Sequence, residues 1–353
     1  MKHRSSKWLS GYRIATAVLC LCGLCIAGCG SSSSSSSASS SGSSTSASAS
    51  TSAKPIRIAF LNQGITSYTG PMADSIESVA AANHGSVKVF PANDDPALQL
   101  SQCEDAINGG YQVILIQAVN HAAAIPCVEK AVAAHVVVVP VDQPIGPNPA
   151  SSAIQVAGIK AQVLGSALNV DVRLTVSLVE QACSHFPAPC TIVQTESIPE
   201  LFYSSYKVSA EQPEFKARGY KILATLAIGN FDDPSGMKSA IETELVKNPN
   251  IDVIVSDDDS SVQGAVELKK QGKLPKTLII GDGGSSPALV AIKQGDEFGT
   301  TLSVPRSTGA TGAQYAIDIL RGQSISNPAL TQLNLTKYPI VTKANVANVV
   351  PQW

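Results

Sequence analysis

The residues able to do chemistry in this 353-residue chain fall in short polar stretches. Positions 62–68, 91–95, 118–120, 142–145, 196–203, 229–233, 257–259 and 282–285 are rich in Asn, Asp, Gln and Ser, side chains that donate and accept hydrogen bonds. The run Asp257-Asp258-Asp259 has the charge to hold a divalent metal, but one acidic run without other ligands does not define a site. It is equally the residue type that caps a helix N-terminus. No Gly-x-Ser-x-Gly elbow, phosphate-cradling Gly-x-x-x-x-Gly-Lys-Ser/Thr loop or His-Glu-x-x-His pair is present, and His84, His121, His135 and His185 are scattered. The pattern predicts hydrogen-bonded capture rather than catalysis: not an enzyme, with no metal and no cofactor.

The elements that position these stretches alternate. Runs 56–61, 87–90, 113–117 and 136–141 read as strands, with helices over 71–83, 96–108 and 122–134. After a long helix at 160–182 the pattern resumes. Strands are expected at 191–195, 221–227, 251–256, 278–281 and 300–304, and helices at 204–217, 235–246, 260–270, 286–293 and 308–320. The strands are apolar throughout, which means both faces are covered. Strand–helix alternation with short loops predicts the α/β class with parallel, doubly wound sheets. The roughly 300 residues from Lys54 to Trp353 exceed one ordinary core and suit two lobes. Ligands of such sheets bind outside the carboxyl ends of the strands, where the polar stretches fall, so two sets of loops are expected to face each other across a cleft.

Charged residues make up 15% of the chain and the net charge is −2, so no basic patch argues for nucleic acid and no acidic tail for a cationic partner. Aromatics are only 5%, which makes each loop aromatic a candidate contact. Residues 30–53 are almost wholly Ser, Ala, Gly and Thr, a flexible linker. Before them come Lys2, His3, Arg4, Lys7 and Arg13, an apolar stretch, and Ile26-Ala27-Gly28-Cys29: the layout of a secretory signal over 1–29. A transmembrane anchor is the alternative, although the apolar run of about 15 residues is short of the roughly 20 a span requires. Cys20, Cys22 and Cys25 would leave with the signal. Cys103, Cys127, Cys183 and Cys190 remain, an even number that suggests two disulfides in an exported chain. A zinc site is the rival, without paired close spacing.

Ending in Cys, the first segment resembles the lipobox of bacterial lipoproteins, which implies lipid on Cys29 and a tether to the outer face of the cell membrane or in the periplasm. From about 55 to 350 the chain resembles the type I periplasmic binding proteins of the sugar-binding class, the extracytoplasmic receptors of ABC importers. The resemblance rests on segments in order: Ile58-Ala59-Phe60-Leu61-Asn62 followed by an aromatic and a helix; Ile114-Leu115-Ile116-Gln117 ahead of a helix; the strand 136–141 ending in Asp142; Asp258 and Asp259 before Val262-Gln263-Gly264-Ala265; and Val341-Thr342-Lys343-Ala344-Asn345-Val346. It implies two doubly wound lobes joined by a three-strand hinge, with crossings near 156–158, 303–305 and 334–337. The N-terminal lobe would be 54–157 plus 305–334, and the C-terminal lobe 158–304 plus 335–353. The family's sheet order puts the second and third helices side by side. That pairs Cys103 with Cys127 and leaves Cys183–Cys190 around a short loop with Pro187 and Pro189, free thiols being the alternative.

The same resemblance implies a ligand set. Tyr68 and Phe231 would stack on a sugar ring, one from each lobe, against the alternatives that Tyr68 caps the core and Phe231 merely packs. Asn62, Asp142, Asp258 and Ser303 would bond hydroxyls, with helix capping the other role open to Asp258. Gln143 stands where the family usually has Arg, whose fork can hold two hydroxyls. Asp282 lies one place before the family's usual Asp, where this chain has Gly283. Lys207 lies near a family Arg, in a region crowded by Phe202, Tyr203 and Tyr206. Such a pocket is acidic and poor in Arg, which suits a polyol, an amino sugar or another small cationic solute beside a plain hexose. The function implied is capture of a small polar solute, a sugar first, and delivery to an ABC permease by a monomer. A sensory receptor for a membrane signalling partner uses the same closure of lobes over ligand. A transcription regulator shares the fold, but a signal in place of a DNA-binding helix-turn-helix argues against it.

Overall fold

Runs of β-branched residues buried along their whole length can only be central strands with both faces covered. Val113–Ile116 and Val253–Ser256 are of this kind, and each lies inside a six-stranded sheet. The computed structural model describes residues 55–165 and 168–353; the expected signal, the expected linker and Cys29 lie outside the described residues.

The first half runs β1 (Ile56–Asn62), α1 (Thr69–Ala82), β2 (Gly85–Pro91), α2 (Pro96–Asn108), β3 (Val113–Ile116), α3 (Ile125–Ala133), β4 (Val137–Asp142) and β5 (Gln162–Leu164). After α4 (Leu168–Cys183) come β6 (Thr191–Glu196), α5 (Phe202–Ala217), β7 (Lys221–Ala227), α6 (Pro234–Lys247), β8 (Val253–Ser256), α7 (Asp259–Lys270), β9 (Leu278–Gly283), α8 (Ser286–Gln294) and β10 (Gly299–Leu302). The chain closes with α9 (Pro305–Leu320), β11 (Ala329–Thr331), α10 (Gln332–Leu335), β12 (Ile340–Thr342) and a 3₁₀ turn at Val346–Asn348. One sheet has the order β11-β5-β4-β3-β1-β2, parallel throughout. The other is β12-β10-β9-β8-β6-β7, parallel except where β12 runs against β10. The path from β1 to β4 is thus repeated from β6 to β9: first out to the edge strand, then back through the centre.

Each sheet carries an apolar cluster on both faces, so each half has its own core. Helix α9 packs on α1, β3 and β4 and belongs with the first sheet. The approach is close enough that a Cβ on Gly309 would lie 2.6 Å from the Met72 carbonyl and one on Gly312 2.4 Å from Val141. Cys103 on α2 is bonded to Cys127 on α3, and Cys183 at the end of α4 to Cys190 just before β6.

Two boundaries differ most from the sequence reading. The long helix expected over 160–182 begins only at Leu168, because Gln162–Leu164 forms β5 between β4 and β11. Gln162 donates its N–H to the Pro328 carbonyl, and Val163 and Leu164 are fully buried. The first sheet therefore runs past the expected crossing at 156–158, to Leu164. The later passages from sheet to sheet fall between β10 and α9 and between α10 and β12.

Candidate ligand-binding site

The carboxyl ends of the parallel strands from both sheets open onto one cavity of about 310 Å³. Gln63, Ile65, Thr66 and Tyr68 reach it from the loop after β1, Asn93 and Asp94 from β2, Gln117 from β3, and Asp142 and Gln143 from β4. Tyr203 follows β6; Asn230, Phe231 and Asp232 follow β7; Asp257 and Asp258 follow β8; Asp282 and Gly283 end β9. Asp171 of α4, Ser303 and Trp353 join them.

Local hydrogen bonds hold these side chains in place. Thr66 N–H donates to Thr69 Oγ1 at 2.8 Å, Thr69 N–H to Thr66 Oγ1 at 3.1 Å, and both Thr69 Oγ1 and Asn62 Nδ2 to the Gly64 carbonyl. This knot turns the chain so that Tyr68 meets Asp142: its hydroxyl donates to Asp142 Oδ1 at 2.7 Å, while Gln117 Nε2 donates to Oδ2 at 2.7 Å. Asp142 ends its strand with φ of +66°, a conformation that Asp tolerates better than most residues. The second half repeats the pair. Tyr203 donates to Asp282 Oδ2 at 3.0 Å, the Thr301 hydroxyl takes the other oxygen, and Lys207 Nζ stands 3.4 Å away.

Asp258 caps α7 through Ser260 N–H and Ser261 N–H and also accepts from Asp232 N–H at 3.1 Å, so it fastens the β7 and β8 loops together. Asp257 is held by the N–H and hydroxyl of Ser197. The halves touch where Ser67 gives its N–H and hydroxyl to Asp232 at 2.9 and 2.7 Å. They touch again where Trp353, its indole N–H on the Gly283 carbonyl at 3.0 Å, meets Tyr68 edge to face with ring centres 5.4 Å apart.

The sequence model of the periplasmic binding protein domain matches residues 58–324, which take in β1 to β10 from both sheets. The chain belongs to the periplasmic binding protein family. It is 24% identical over 268 residues to the ribose import binding protein RbsB of Bacillus subtilis, a match that covers 74% of this chain and 80% of that one. A solute-binding protein from Bacillus halodurans with bound myo-inositol superposes with a TM-score of 0.69 at 19% identity, over 83% of this chain and 96% of that one. One from Actinobacillus succinogenes with bound D-allose superposes with a TM-score of 0.69 at 22% identity, over 83% and 100%. The fold is that of type I periplasmic binding proteins.

In this periplasmic binding protein, burial sets the protonation of the cleft. It pushes the Asp257 and Asp258 carboxyls up to about 6, although donors from Ser197, Ser204 and Ser261 oppose the shift. It raises Asp142 against the donors Tyr68 and Gln117, and carries Asp171 well above the usual range with help from the charge of Asp282. Burial alone would lower Lys207, but the carboxylates of Glu211, Asp282 and Asp171 around it outweigh that and hold it above its ordinary value. Burial and adjacent carboxylates keep Tyr68 and Tyr203 well above 10, so both remain donors.

Of the residues singled out from the sequence, the structure gathers Tyr68, Asp142, Gln143, Phe231, Asp258, Asp282 and Ser303 at the cavity. Phe231 also packs beside Ala92, Val119 and Leu201, so its lining and packing roles coexist. Asn62 and Lys207 do not line it. Asn62 is buried under the 62–69 loop, and Lys207 is buried behind Asp282, paired with Glu211 and donating to Thr175 Oγ1 at 2.7 Å. Sequence reasoning missed Gln117, Asp171 and Trp353 as lining residues. Gln117 carried a signal, a polar residue directly after an apolar strand; Trp353, one of two tryptophans, carried only its scarcity in an aromatic-poor chain.

Proposed function

We propose that the protein is an extracytoplasmic solute-binding protein that captures one small hydroxyl-rich ring, a sugar or polyol, between its two halves and delivers it to an ABC importer. The observation that carries this reading is the pair of Tyr–Asp hydrogen bonds, one from each half, facing the same cavity among Phe231, Trp353 and the amides Gln117, Gln143 and Asn230. Carboxylates and amides in pairs bond ring hydroxyls, while aromatic faces cover the C–H patches between them. A wrong ligand that leaves one such buried group unpaired costs about 1–3 kcal/mol, which is the source of selectivity. The relatives support it: RbsB of Bacillus subtilis is a ribose import binding protein, and the two solved structures above hold myo-inositol and D-allose. Closure over ligand follows from the cross-cleft contacts of Ser67 and Trp353, which form only when the halves meet.

In this reading Cys29 carries lipid, residues 30–53 tether the folded halves to the outer face of the membrane, and the protein works as a monomer without catalysis. The test is a thermal-shift and calorimetric screen of sugars and polyols against the purified chain. One ring ligand is expected to bind with one-to-one stoichiometry, and Asp142→Ala to weaken it by about tenfold or more. Unchanged affinity in both that variant and Asp282→Ala moves the site elsewhere.

A further inference from the structure

We propose that the solute held in this cleft is a hydroxylated ring bearing a protonated amine, an amino sugar or an aminocyclitol, with its ammonium group among Asp142, Asp171 and Asp282. This rests on the solute-binding reading above and adds the charge of the occupant. Among the described residues, seven aspartates line the cavity, and no lysine, arginine or histidine does. Asp142, Asp171 and Asp282 arrive from β4, α4 and β9 and lie near enough for their charges to act on one another. The cation behind them, Lys207, is bound by Glu211 as well as standing 3.4 Å from Asp282. Asp142 is held by neutral donors, Tyr68 and Gln117.

Carboxylates taken out of water without counter-charge are costly, on the order of several kcal/mol per ion. A ring with only hydroxyls supplies hydrogen bonds and leaves that deficit; an ammonium group removes it. A bare metal ion is a poorer occupant. Among the described residues no three His, Cys, Asp or Glu side chains are grouped to hold one. The walls are instead partly aromatic, through Tyr68, Tyr203, Phe231 and Trp353, which offer faces to a ring and to a cation alike.

The experiment is titration calorimetry of the full chain at neutral pH with glucosamine, galactosamine and 2-deoxystreptamine, each against its neutral counterpart, glucose, galactose or myo-inositol. At least one amine is expected to bind about tenfold or more tighter than its counterpart. Asp171→Asn is expected to shrink the ratio of amine to neutral-ring affinity by about tenfold or more. If that variant does not fold, the N-acetylated form of the preferred amine decides, and it is expected to lose the advantage. A neutral ring or an N-acetylated amine that binds as tightly as the free amine overturns the charge assignment and leaves the solute-binding reading standing. Binding of no ring at all overturns both.

Discussion

The two halves build the same corner from different materials. In the first, Tyr68 after β1 meets Asp142 at the end of β4; in the second, Tyr203 after β6 meets Asp282 at the end of β9, at the matching places in the two sheets. Four and eight residues beyond the tyrosine, the first half buries Met72 and Ile76, whereas the second buries Lys207 and Glu211. Directly after the neighbouring strand stands Gln117 in one half and Asp257 in the other. The fold needs neither the charge nor its absence. The second half carries the denser negative charge at the cleft, and its helix α5 holds an ion pair in the core to support it.

The largest effect expected from breaking this comparison is in the core of the second half. Lys207→Met removes one partner of a buried pair and leaves Glu211 and Asp282 uncompensated, at about 3–5 kcal/mol. Denaturant unfolding would show it. Lys207→Met combined with Glu211→Ile, which copies Met72 and Ile76, is expected to recover most of that loss. A double variant as unstable as the single one would mean that the pair does more than balance charge.

Next in size is binding. Asp142→Ala and Asp282→Ala each strip a Tyr-held carboxylate from the cavity, and each is expected to weaken ligand affinity by about tenfold or more. Titration calorimetry that found affinity unchanged in one of them would assign the ligand to the other half.

A smaller, graded effect is expected from pH. Burial raises Asp257 and Asp258 to about 6 and Asp259 to about 7 in the folded chain, above the ordinary carboxyl value of about 4. The folded state therefore binds more protons than the unfolded one in that interval. Their contribution to stability is present in full below about pH 4 and is lost as pH rises through 6 to 7. The melting temperature of the ligand-free protein is expected to be higher at pH 5 than at pH 8, with Asp257→Asn flattening the difference. A melting temperature that climbs over that interval would contradict the account.

Least in size is the latch. Ser67→Ala deletes an exposed hydroxyl bond to Asp232 across the cleft, about 0.5–1.5 kcal/mol, seen as a severalfold weaker affinity with unchanged unfolding.

Much of this was legible in the sequence because parallel strands with two covered faces read as unbroken apolar runs, and because the loops after them are rich in Asn, Asp, Gln and Ser. Position within a helix was harder to read. Lys207 has the right chemistry for a ligand contact, but its place one turn after Tyr203 turns it under α5 and into the core. Asp171 was hidden inside a stretch read as one long helix, and β5 with it, since three residues are too few to show a strand period. One signal was present and unused. Asp94-Asp95-Pro96 and Asp232-Asp233-Pro234 are the same tripeptide in the two halves. In each, the first Asp lines the cavity with φ near +60°, the second caps a helix, and Pro takes its first turn. That repeat marks the internal duplication and two cavity-lining loops at once. Trp353 reaches the cavity from beyond the last strand, where no periodicity points to it.

Titration of the wild-type chain with rings that do and do not carry an amine, repeated on Asp142→Ala and Asp282→Ala, addresses the central claim most directly. The account predicts a single site filled by one ring and lost or much weakened in both variants. A ring that binds with full affinity when both carboxylates are gone, or a chain that binds none, would contradict it.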